Sequence, residues 1–264
     1  MSDVLIGAWH GGLGDSLQFS TLPEEFYKQQ DRETYVADGC SFRNKEIYDL
    51  VWGCNPYIKG VKEGVRNAGD IPEIDFVNPN GYTSSITNWE ELHGLKPTNK
   101  HPKIYYEPKK LEGYEDTILV DLSSISLRHD GNKNTYPPAY DADEVLVEYN
   151  NLRKRYPEKK FAKVQFSQDL GTNSFSFDSD GTVIVDSIFH YCDLINSAYG
   201  IIGLYSGQSA LSSAIIEYNP DLLSFCLISE AIYKKHVERS GFIFDNVNYI
   251  IIEDKVNVQD TSIH

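Results

Sequence analysis

A glycine-rich turn near the amino terminus constrains the fold of this chain more than any other segment. An apolar run at residues 4–9 leads into the turn His-Gly-Gly-Leu-Gly-Asp at residues 10–15. Apolar residues at helical spacing then follow at Leu17, Phe19, Leu22 and Phe26. Strand, glycine-rich turn and helix in this order are typical of the first unit of a Rossmann-like sheet. We therefore expect an α/β protein built on parallel strands.

Alternating strand and helix patterns continue along the chain. Further strands are predicted at residues 33–38, 117–122, 161–166, 182–186, 199–204, 221–228 and 248–252. Helices are predicted at residues 44–52, 88–95 (capped by Asn88), 141–156, 187–197, 207–217 and 231–237. Residues 60–81 show no clear pattern, and residues 96–116, rich in Pro, Lys and Glu, indicate a connector between domains.

The order of these patterns predicts two successive Rossmann-like domains. Residues 1–110 are assigned to the first domain and residues 111–264 to the second. The last residues of the chain could also pack back on the first domain. A chain of 264 residues divides well into two halves of this size.

The charge of the chain limits the partners that it can have. Lys and Arg number 24 against 39 Asp and Glu, which gives a net charge of -15. Such a surface repels phosphate backbones, so an extended nucleic-acid footprint is not expected. Because the sequence has no signal-peptide pattern and no apolar run of about 18 residues, we expect a cytoplasmic protein without a transmembrane segment.

The cysteines and histidines give no sign of a metal site. The four cysteines are scattered without a CxxC pair, and the seven histidines lack HxH and HExxH spacing. This distribution predicts reduced thiols and no structural metal.

Asp15 at the end of the glycine-rich turn has three interpretations. In a dinucleotide site Asp38 would take the ribose, but Leu17 replaces the third glycine of the fingerprint and the Asp15 carboxylate lies where phosphate would bind. Asp15 could instead be only a helix cap. In the third interpretation Asp15 is a general base that accepts a hydroxyl proton, while His10, Gly12 and Gly14 lie on the acceptor side of the same loop.

The segment from Gly12 to Leu17, followed by Thr21-Leu22-Pro23, resembles the opening of the ADP-heptose:lipopolysaccharide heptosyltransferase family. In that family a Gly-Asp pair precedes a helix that carries Thr-x-Pro or Thr-Leu-Pro. The resemblance implies a GT-B fold, in which two Rossmann-like domains face each other across a cleft. It also implies that Asp15 is the catalytic base.

Three segments of the second half are similar to the same family. Residues 119–124 resemble its first donor-domain strand, which puts Ser123 and Ser124 in the donor site. Lys133 before Tyr136-Pro137 resembles a lysine that contacts donor phosphate. Residues 193–211 resemble the late segment that holds the donor, although Tyr205 stands where the family has Asp and Ala210 where it has His.

Physical chemistry adds candidates to this donor site. The predicted helix at residues 207–217 begins at Ser206-Gly207-Gln208-Ser209, where free N–H groups and the helix dipole favour a diphosphate. An ordinary Ser-capped helix is the alternative. Arg128 and Lys133 would neutralise the leaving diphosphate, unless they are only solvated loop charges.

These observations predict an inverting, metal-independent glycosyltransferase. The donor substrate would be a nucleotide-diphosphate sugar, the acceptor a hydroxyl of a glycan or related molecule, and no further cofactor is expected. One alternative is a non-catalytic sugar- or nucleotide-binding protein of the same fold. Another is a glycosyltransferase that acts on modified DNA, which the negative charge disfavours.

Overall fold

The computed structural model describes residues 3–8, 11–38, 41–63, 75–77, 85–124, 142–167, 173–174, 176–238 and 242–253. The described residues form two parallel sheets, together with a short antiparallel pair of two-residue strands. None of the helices within these ranges is long and apolar enough to cross a bilayer. The parallel sheets agree with the α/β class predicted from the sequence.

The first sheet has four parallel strands in the order β3-β2-β1-β4. Its strands are β1 (Val4–Ile6), β2 (Thr34–Ala37), β3 (Ile58–Lys62) and β4 (Asp75–Val77). Its helices are α1 (Leu13–Leu17), α2 (Leu22–Gln30), α3 (Lys45–Ile47, which continues as a π-helix at Tyr48–Gly53) and α4 (Ile86–Leu92). All three residues of β1 are buried, as expected for an interior strand of a parallel sheet that is covered on both faces.

The second sheet has six parallel strands in the order β12-β11-β10-β5-β7-β9. They are β5 (Thr117–Asp121), β7 (Lys160–Phe166), β9 (Gly181–Val185), β10 (Gly200–Leu204), β11 (Leu223–Ser229) and β12 (Asn248–Ile252). The helices are α5 (Ala142–Arg155), α6 (Ile188–Ser197), α7 (Gly207–Ile215) and α8 (Glu230–Glu238). The antiparallel pair is β6 (Ser123–Ser124) with β8 (Asn173–Ser174).

The two sheets share one hydrophobic core. A single cluster of buried side chains includes Val4 and Ile6 of β1, Leu119 of β5, Ile201 of β10 and Leu211 of α7. A second cluster, which includes Val145 and Tyr149 of α5, covers the other face of the second sheet. Burial of this continuous apolar surface holds the two halves together.

The connector after α4 is irregular, but hydrogen bonds fix it on both sides. Lys103 Nζ and Tyr105 Oη donate to the Glu24 carboxylate of α2 at 2.7 and 2.9 Å. Tyr106 Oη donates to Asp193 Oδ1 of α6 at 2.8 Å. Burial opposes ionisation of Glu24, but the hydrogen bonds from Lys103, Lys28 and Tyr105 outweigh it and lower the pKa to about 2.

Several element predictions need correction. The helix expected after the first turn is two helices, α1 and α2, separated by a turn at residues 18–21. Ser85 rather than Asn88 caps α4, because its Oγ accepts the Asn88 N–H at 3.2 Å. The strands β3 and β4 were not predicted, since glycines and prolines obscure the apolar pattern of residues 58–81.

Candidate functional site

The first glycine-rich turn joins β1 to α1 through a residue that must be glycine. Gly11 has a φ of +58°, in the left-handed region. A Cβ atom at this position would also lie 2.7 Å from the backbone carbonyl carbon of Phe42. The turn is therefore packed directly against the segment that follows β2.

Asp15 lies in the first turn of α1, where its carboxylate satisfies a backbone donor. Gly12 occupies the N-cap position, so Asp15 is the third helical residue and not the cap itself. The Gly12 N–H donates to Asp15 Oδ2 at 3.0 Å. A half-buried carboxylate thus occupies the amino end of the helix, which is the position that a dinucleotide pyrophosphate would need.

Ser41 connects the first turn to the rest of the first sheet. Its hydroxyl donates to the Ile6 carbonyl of β1 at 2.7 Å and accepts the Ala37 N–H of β2 at 3.2 Å. Its carbonyl accepts hydrogen bonds from Ser16 Oγ of α1 and from the Trp52 indole. Since Ser41 is fully buried, these bonds fix the backbone that leads to residues 42–44.

The second turn joins β10 to α7 and begins with a serine cap. Ser206 Oγ accepts the Gln208 N–H at 3.3 Å, as the capped-helix interpretation expects. Ser209 is buried, and its hydroxyl donates to the Ser206 carbonyl at 2.8 Å. Both predicted hydroxyls therefore support the helix start, and α7 has no acidic residue in its first turn.

The side chain of Gln208 is buried at the start of α7. Its amide packs over Gly203 of β10, where a Cβ atom would lie 2.0 Å from the amide oxygen. Neither the amide oxygen nor the amide nitrogen has a hydrogen-bond partner among the described residues. Gln208 thus brings an unsatisfied polar group to the edge of the sheet where the donor is expected.

The two turns touch each other through glycine backbone. A Cβ atom on Gly207 would lie 2.8 Å from the Gly14 backbone nitrogen and 2.9 Å from Leu13 Cβ. Helices α1 and α7 pack together at this point, and Leu13 and Gly14 lie against Ser206 and Gly207. From the sequence, Gly207 was predicted to let a diphosphate approach the backbone closely. In the structure, the missing side chain at Gly207 lets Gly14 of the first turn approach it.

A buried carboxylate positions the predicted donor residue Ser123. Asp121, the last residue of β5, accepts hydrogen bonds from the backbone N–H and the hydroxyl of Ser123. Its other oxygen accepts the Tyr191 hydroxyl of α6 at 2.7 Å. Burial raises the pKa of Asp121 above its ordinary value, against the effect of these hydrogen bonds. Because β6 lies beside β10, Ser123 is on the same edge as Ser206.

Tyr205 replaces the late aspartate of the heptosyltransferase pattern with a hydrogen-bonded network. Its hydroxyl donates to the Phe242 carbonyl at 3.1 Å and lies 3.1 Å from His236 Nε2. His236 Nδ1 accepts the Phe242 N–H at 3.3 Å, which places the proton on Nε2. Ala210, where the family has His, is buried in the core.

Some predicted site residues fall outside the described residues. His10, Arg128 and Lys133 are among them, and Ser124 is described only by its backbone pairing with Asn173. Cys40 also lies outside, while Cys54, Cys192 and Cys226 are free thiols. Within the described ranges, no three His, Cys, Asp or Glu side chains are grouped to hold a metal ion.

Sequence reasoning missed three residues that shape this site: Ser41, Arg43 and Asp121. Asp121 had a recognisable signal, a carboxylate at the end of the apolar run Ile118 to Val120. No local signal marked Ser41 or Arg43, since their roles depend on contacts with a distant segment: the Ser16 hydroxyl donates to the Ser41 carbonyl, and the Arg43 N–H donates to the Gly11 carbonyl.

Comparison with known proteins identifies the fold of the chain, but no family matches its sequence. No family model matches the chain, and no curated protein matches it in sequence. Among solved structures it is similar to TibC from enterotoxigenic Escherichia coli, described as a dodecameric iron-containing heptosyltransferase in complex with ADP-D-β-D-heptose. That match has a TM-score of 0.58 and 13% identity, and covers 94% of this chain and 62% of TibC.

Two further structures match most of both chains. A glycosyl transferase family 9 protein from Veillonella parvula has a TM-score of 0.56 and 10% identity, with coverage of 96% and 86%. The E. coli ADP-heptose lipopolysaccharide heptosyltransferase II has a TM-score of 0.52 and 9% identity, with coverage of 96% and 90%. The resemblance to heptosyltransferases is thus confirmed at the level of the fold: the chain is an α/β protein of the GT-B type.

Proposed function

We propose that this protein is a glycosyltransferase that moves a sugar from a nucleotide-diphosphate sugar to a hydroxyl group. The observation that carries the proposal is the meeting of two turns, one acidic and one neutral. Asp15 lies in the turn at the carboxyl edge of the first sheet, and Gly14 of the same turn contacts Gly207 at the amino end of α7, at the carboxyl edge of the second sheet. Ligands of open α/β sheets bind at these edges.

The donor belongs on the side of the second sheet. A diphosphate is stabilised by the positive end of a helix dipole, and α7 has no carboxylate in its first turn to oppose it. Ser123, which Asp121 holds in place, supplies a further polar contact. Arg128 and Lys133 are the cations that the sequence assigns to the leaving diphosphate.

Asp15 acts as the general base on the acceptor side. It takes the proton of the acceptor hydroxyl while that oxygen forms a bond to C1 of the sugar. The bond from C1 to the diphosphate oxygen breaks, and the diphosphate leaves with the electron pair. Attack from the face opposite the diphosphate inverts the configuration at C1. We propose no metal in this step; TibC is described as iron-containing.

The substitution Asp15→Asn tests the base directly. The asparagine oxygen can still accept the Gly12 N–H, so the first turn should keep its structure. We expect transfer to fall about 100- to 10,000-fold, the usual range for loss of a general base. Turnover is measured with the sugar nucleotide that gives the largest thermal shift among ADP-, GDP-, UDP- and CDP-sugars.

A matched control separates loss of the base from loss of structure. Asp180 also accepts a backbone N–H, that of Phe161 at 2.8 Å, but it lies at the start of β9 away from both turns. Asp180→Asn should leave turnover unchanged, and both variants should keep the donor's thermal shift. Unchanged turnover in Asp15→Asn would remove the assigned role.

A non-catalytic sugar-nucleotide-binding protein is favoured by the two departures at Tyr205 and Ala210. In that case a sugar nucleotide would raise the melting temperature, but neither hydrolysis nor transfer of its sugar would be detected. If the protein were a dinucleotide oxidoreductase, NAD would raise its melting temperature. A transferase for modified DNA predicts a salt-sensitive gel shift despite the charge of -15.

A further inference from the structure

The strand β12 forms an edge of the second sheet. Among the described residues it pairs with β11 alone, so the backbone groups on its other side have no strand neighbour there. Its sequence, Asn-Tyr-Ile-Ile-Ile, has no charged residue and no proline. Edge strands of native proteins usually carry lysine, proline or a bulge, because an unprotected edge pairs with another strand. The edge strand β3 has such protection, with Lys59, Lys62 and a register shift.

Exposed aliphatic side chains flank this edge on both faces of the sheet. Ile251 of β12 is 45% exposed, Val147 of α5 49% and Val237 of α8 55%. Helix α5 contacts β12 from the face of the second cluster, and α8 contacts it from the other face. Val237 lies one helical turn after Tyr233, whose ring is 6.1 Å from that of Tyr249 in β12. Apolar surface around an open edge strand favours contact with another protein chain.

A cavity of about 280 Å³ lies between α5 and β12 at this edge. Its lining includes the apolar residues Leu152, Phe225 and Ile250 and the polar residues Glu148, Asn151 and Arg155. Helix α5 covers the face of the second sheet that is opposite to α7. The cavity is therefore separate from the two turns of the candidate site.

Glu148 and Arg155 carry opposite charges and have no ion pair with any residue that the structure describes. Seven residues are close to two helical turns, so both side chains lie on the side of α5 that lines the cavity. Asn151 lies between them and donates to Glu148 at 3.4 Å. Along the helix, the two charges are about 4.5 and 6 Å from Asn151, in opposite directions.

We propose that β12 and α5 form the interface of a homodimer, in which β12 of a second copy of this chain pairs antiparallel with β12 of the first. A twofold axis perpendicular to the sheet then places the α5 helices of both copies side by side and antiparallel. If the axis passes beside Asn151, Glu148 of each copy is opposite Arg155 of the other. The surface is thus complementary to itself, as a twofold interface requires.

The same axis suits the strand. The cavity joins residues 148–155 of α5 to residues 248–250 of β12, so the middle of this helical segment lies beside Tyr249. An antiparallel pair centred on Tyr249 joins the two six-stranded sheets into one continuous sheet and covers Ile251. The dimer is independent of the proposed function, because none of these residues lies in the two turns.

Analytical ultracentrifugation of the full chain measures the dissociation constant of this dimer. The chain carries a net charge of -15, which opposes self-association. The measurement is made in about 0.15 M salt, where charges more than about 8 Å apart are screened. We expect dimers to form within a concentration range of about 1–200 μM, which suits weak association.

Reversal of the two charges tests the predicted pairs. Arg155→Glu should raise the dissociation constant at least about tenfold, because like charges then meet at two equivalent places. Glu148→Arg should have the same effect. The double variant Glu148→Arg/Arg155→Glu exchanges the charges and should return the constant to within about threefold of wild type. Lys160→Glu is the control: Lys160 is exposed on β7, which three strands separate from β12, and should have no effect.

A second pair of variants tests the strand. Ile251→Lys puts a charge on the open edge and should raise the dissociation constant at least about tenfold. Ile184→Lys is its matched control, because Ile184 is 46% exposed on β9, the opposite edge of the same sheet. This variant should dimerise like wild type.

Three results would overturn the proposal. The first is a wild-type chain that remains monomeric over the whole concentration range, which would leave β12 open or available to a different protein. The second is an equal effect of Ile251→Lys and Ile184→Lys. The third is a double charge variant that dimerises no better than the single variants. Each result leaves the proposed transferase untouched, since Ile251→Lys should keep the donor's thermal shift in either case.

Discussion

The two turns occupy equivalent places in the two sheets but differ in charge, since the first is acidic and the second is neutral. Each follows the carboxyl end of an interior strand, β1 or β10, and each leads into a helix. The first places the Asp15 carboxylate in the opening turn of α1. The second opens α7 with Ser206 and has no acidic residue in the first helical turn. The same backbone plan thus places a carboxylate in one helical turn and leaves the other without one.

The two turns are also held in different ways. The first is fixed by the close packing of Gly11 against the Phe42 backbone and by the buried hydroxyl of Ser41, which bonds to the backbone of β1. The second is flanked by a hydrogen-bond network of the Tyr205 and His236 side chains with the Phe242 backbone. The contacts that fix the first turn contain no group that titrates near neutral pH, whereas the network beside the second turn contains a histidine. The comparison therefore predicts different responses to added side chains and to acid.

Gly11→Ala should give the largest loss of stability. An alanine at a φ of +58° costs about 1–2 kcal/mol, and its Cβ would lie 2.7 Å from the Phe42 backbone. Forcing these atoms apart adds about 1–3 kcal/mol, so we expect the free energy of unfolding to fall by about 3 kcal/mol. Urea denaturation followed by circular dichroism measures the change.

Gly94→Ala separates the two causes of this loss. Gly94 has a similar φ of +68°, but a Cβ atom there would meet no atom within 4 Å. The control should lose only the conformational part, about 1–2 kcal/mol. If both variants lose the same free energy of unfolding, the contact between the first turn and Phe42 does not stabilise the protein.

Gly207→Ala should have a smaller effect on stability and a clear effect on the site. Its Cβ would lie 2.8 Å from the Gly14 backbone nitrogen, so the two turns must move apart. Part of that cost is offset because alanine favours a helix over glycine by about 1 kcal/mol. We expect the free energy of unfolding to fall by about 1–2 kcal/mol.

The proposed transfer should fall more in this variant than its stability suggests, since Asp15 and the amino end of α7 would separate. Gly181→Ala, at the start of β9 with no atom within 4 Å of the added Cβ, is the control and should change neither property. A Gly207→Ala variant with wild-type stability and turnover would show that the two turns need not touch.

Much of the fold was predictable because periodicity and glycine turns are local signals. The strand β12 was predicted at its observed bounds, residues 248–252, and α5 within one residue at each end. The missed strands β3 and β4 are at the edges of the first sheet, and β3 is partly exposed and lacks a continuous apolar run. These strands form because they pair with β2 and β1, and this pairing is not visible in the local sequence.

The site was predictable only where one segment carries the whole signal. The turns at Gly12–Asp15 and Ser206–Ser209 could be found from the sequence, and the structure brings them together. Their direct contact through Gly14 and Gly207 could not, because it depends on how two helices far apart in the chain pack. The assignment of catalytic and donor roles to these residues stays a prediction, as does the domain boundary at residue 110.

Mild acid should destabilise the second turn and leave the first turn unchanged. Burial, with a smaller contribution from Lys235, lowers the pKa of His236 from its ordinary value of 6.5 to about 4.

Between these two values the unfolded chain binds a proton that the folded chain does not, so the free energy of unfolding falls as the pH falls from 6.5 to 4. The loss is about 1 kcal/mol after allowance for solvent screening.

Protonation of Nδ1 also breaks its hydrogen bond with the Phe242 N–H, next to Tyr205. Comparison of urea denaturation at pH 7 and pH 5 for wild type and His236→Gln isolates this contribution, because Glu24 has a pKa of about 2 and loses its stabilising effect only below pH 4.5. The protection of the amides from hydrogen exchange, relative to their intrinsic rates, should then fall between pH 7 and pH 5 at residues 204–206 and not at residues 11–16. Equal exchange at both turns, or the same pH dependence in both proteins, would mean that the His236 network does not hold the second turn.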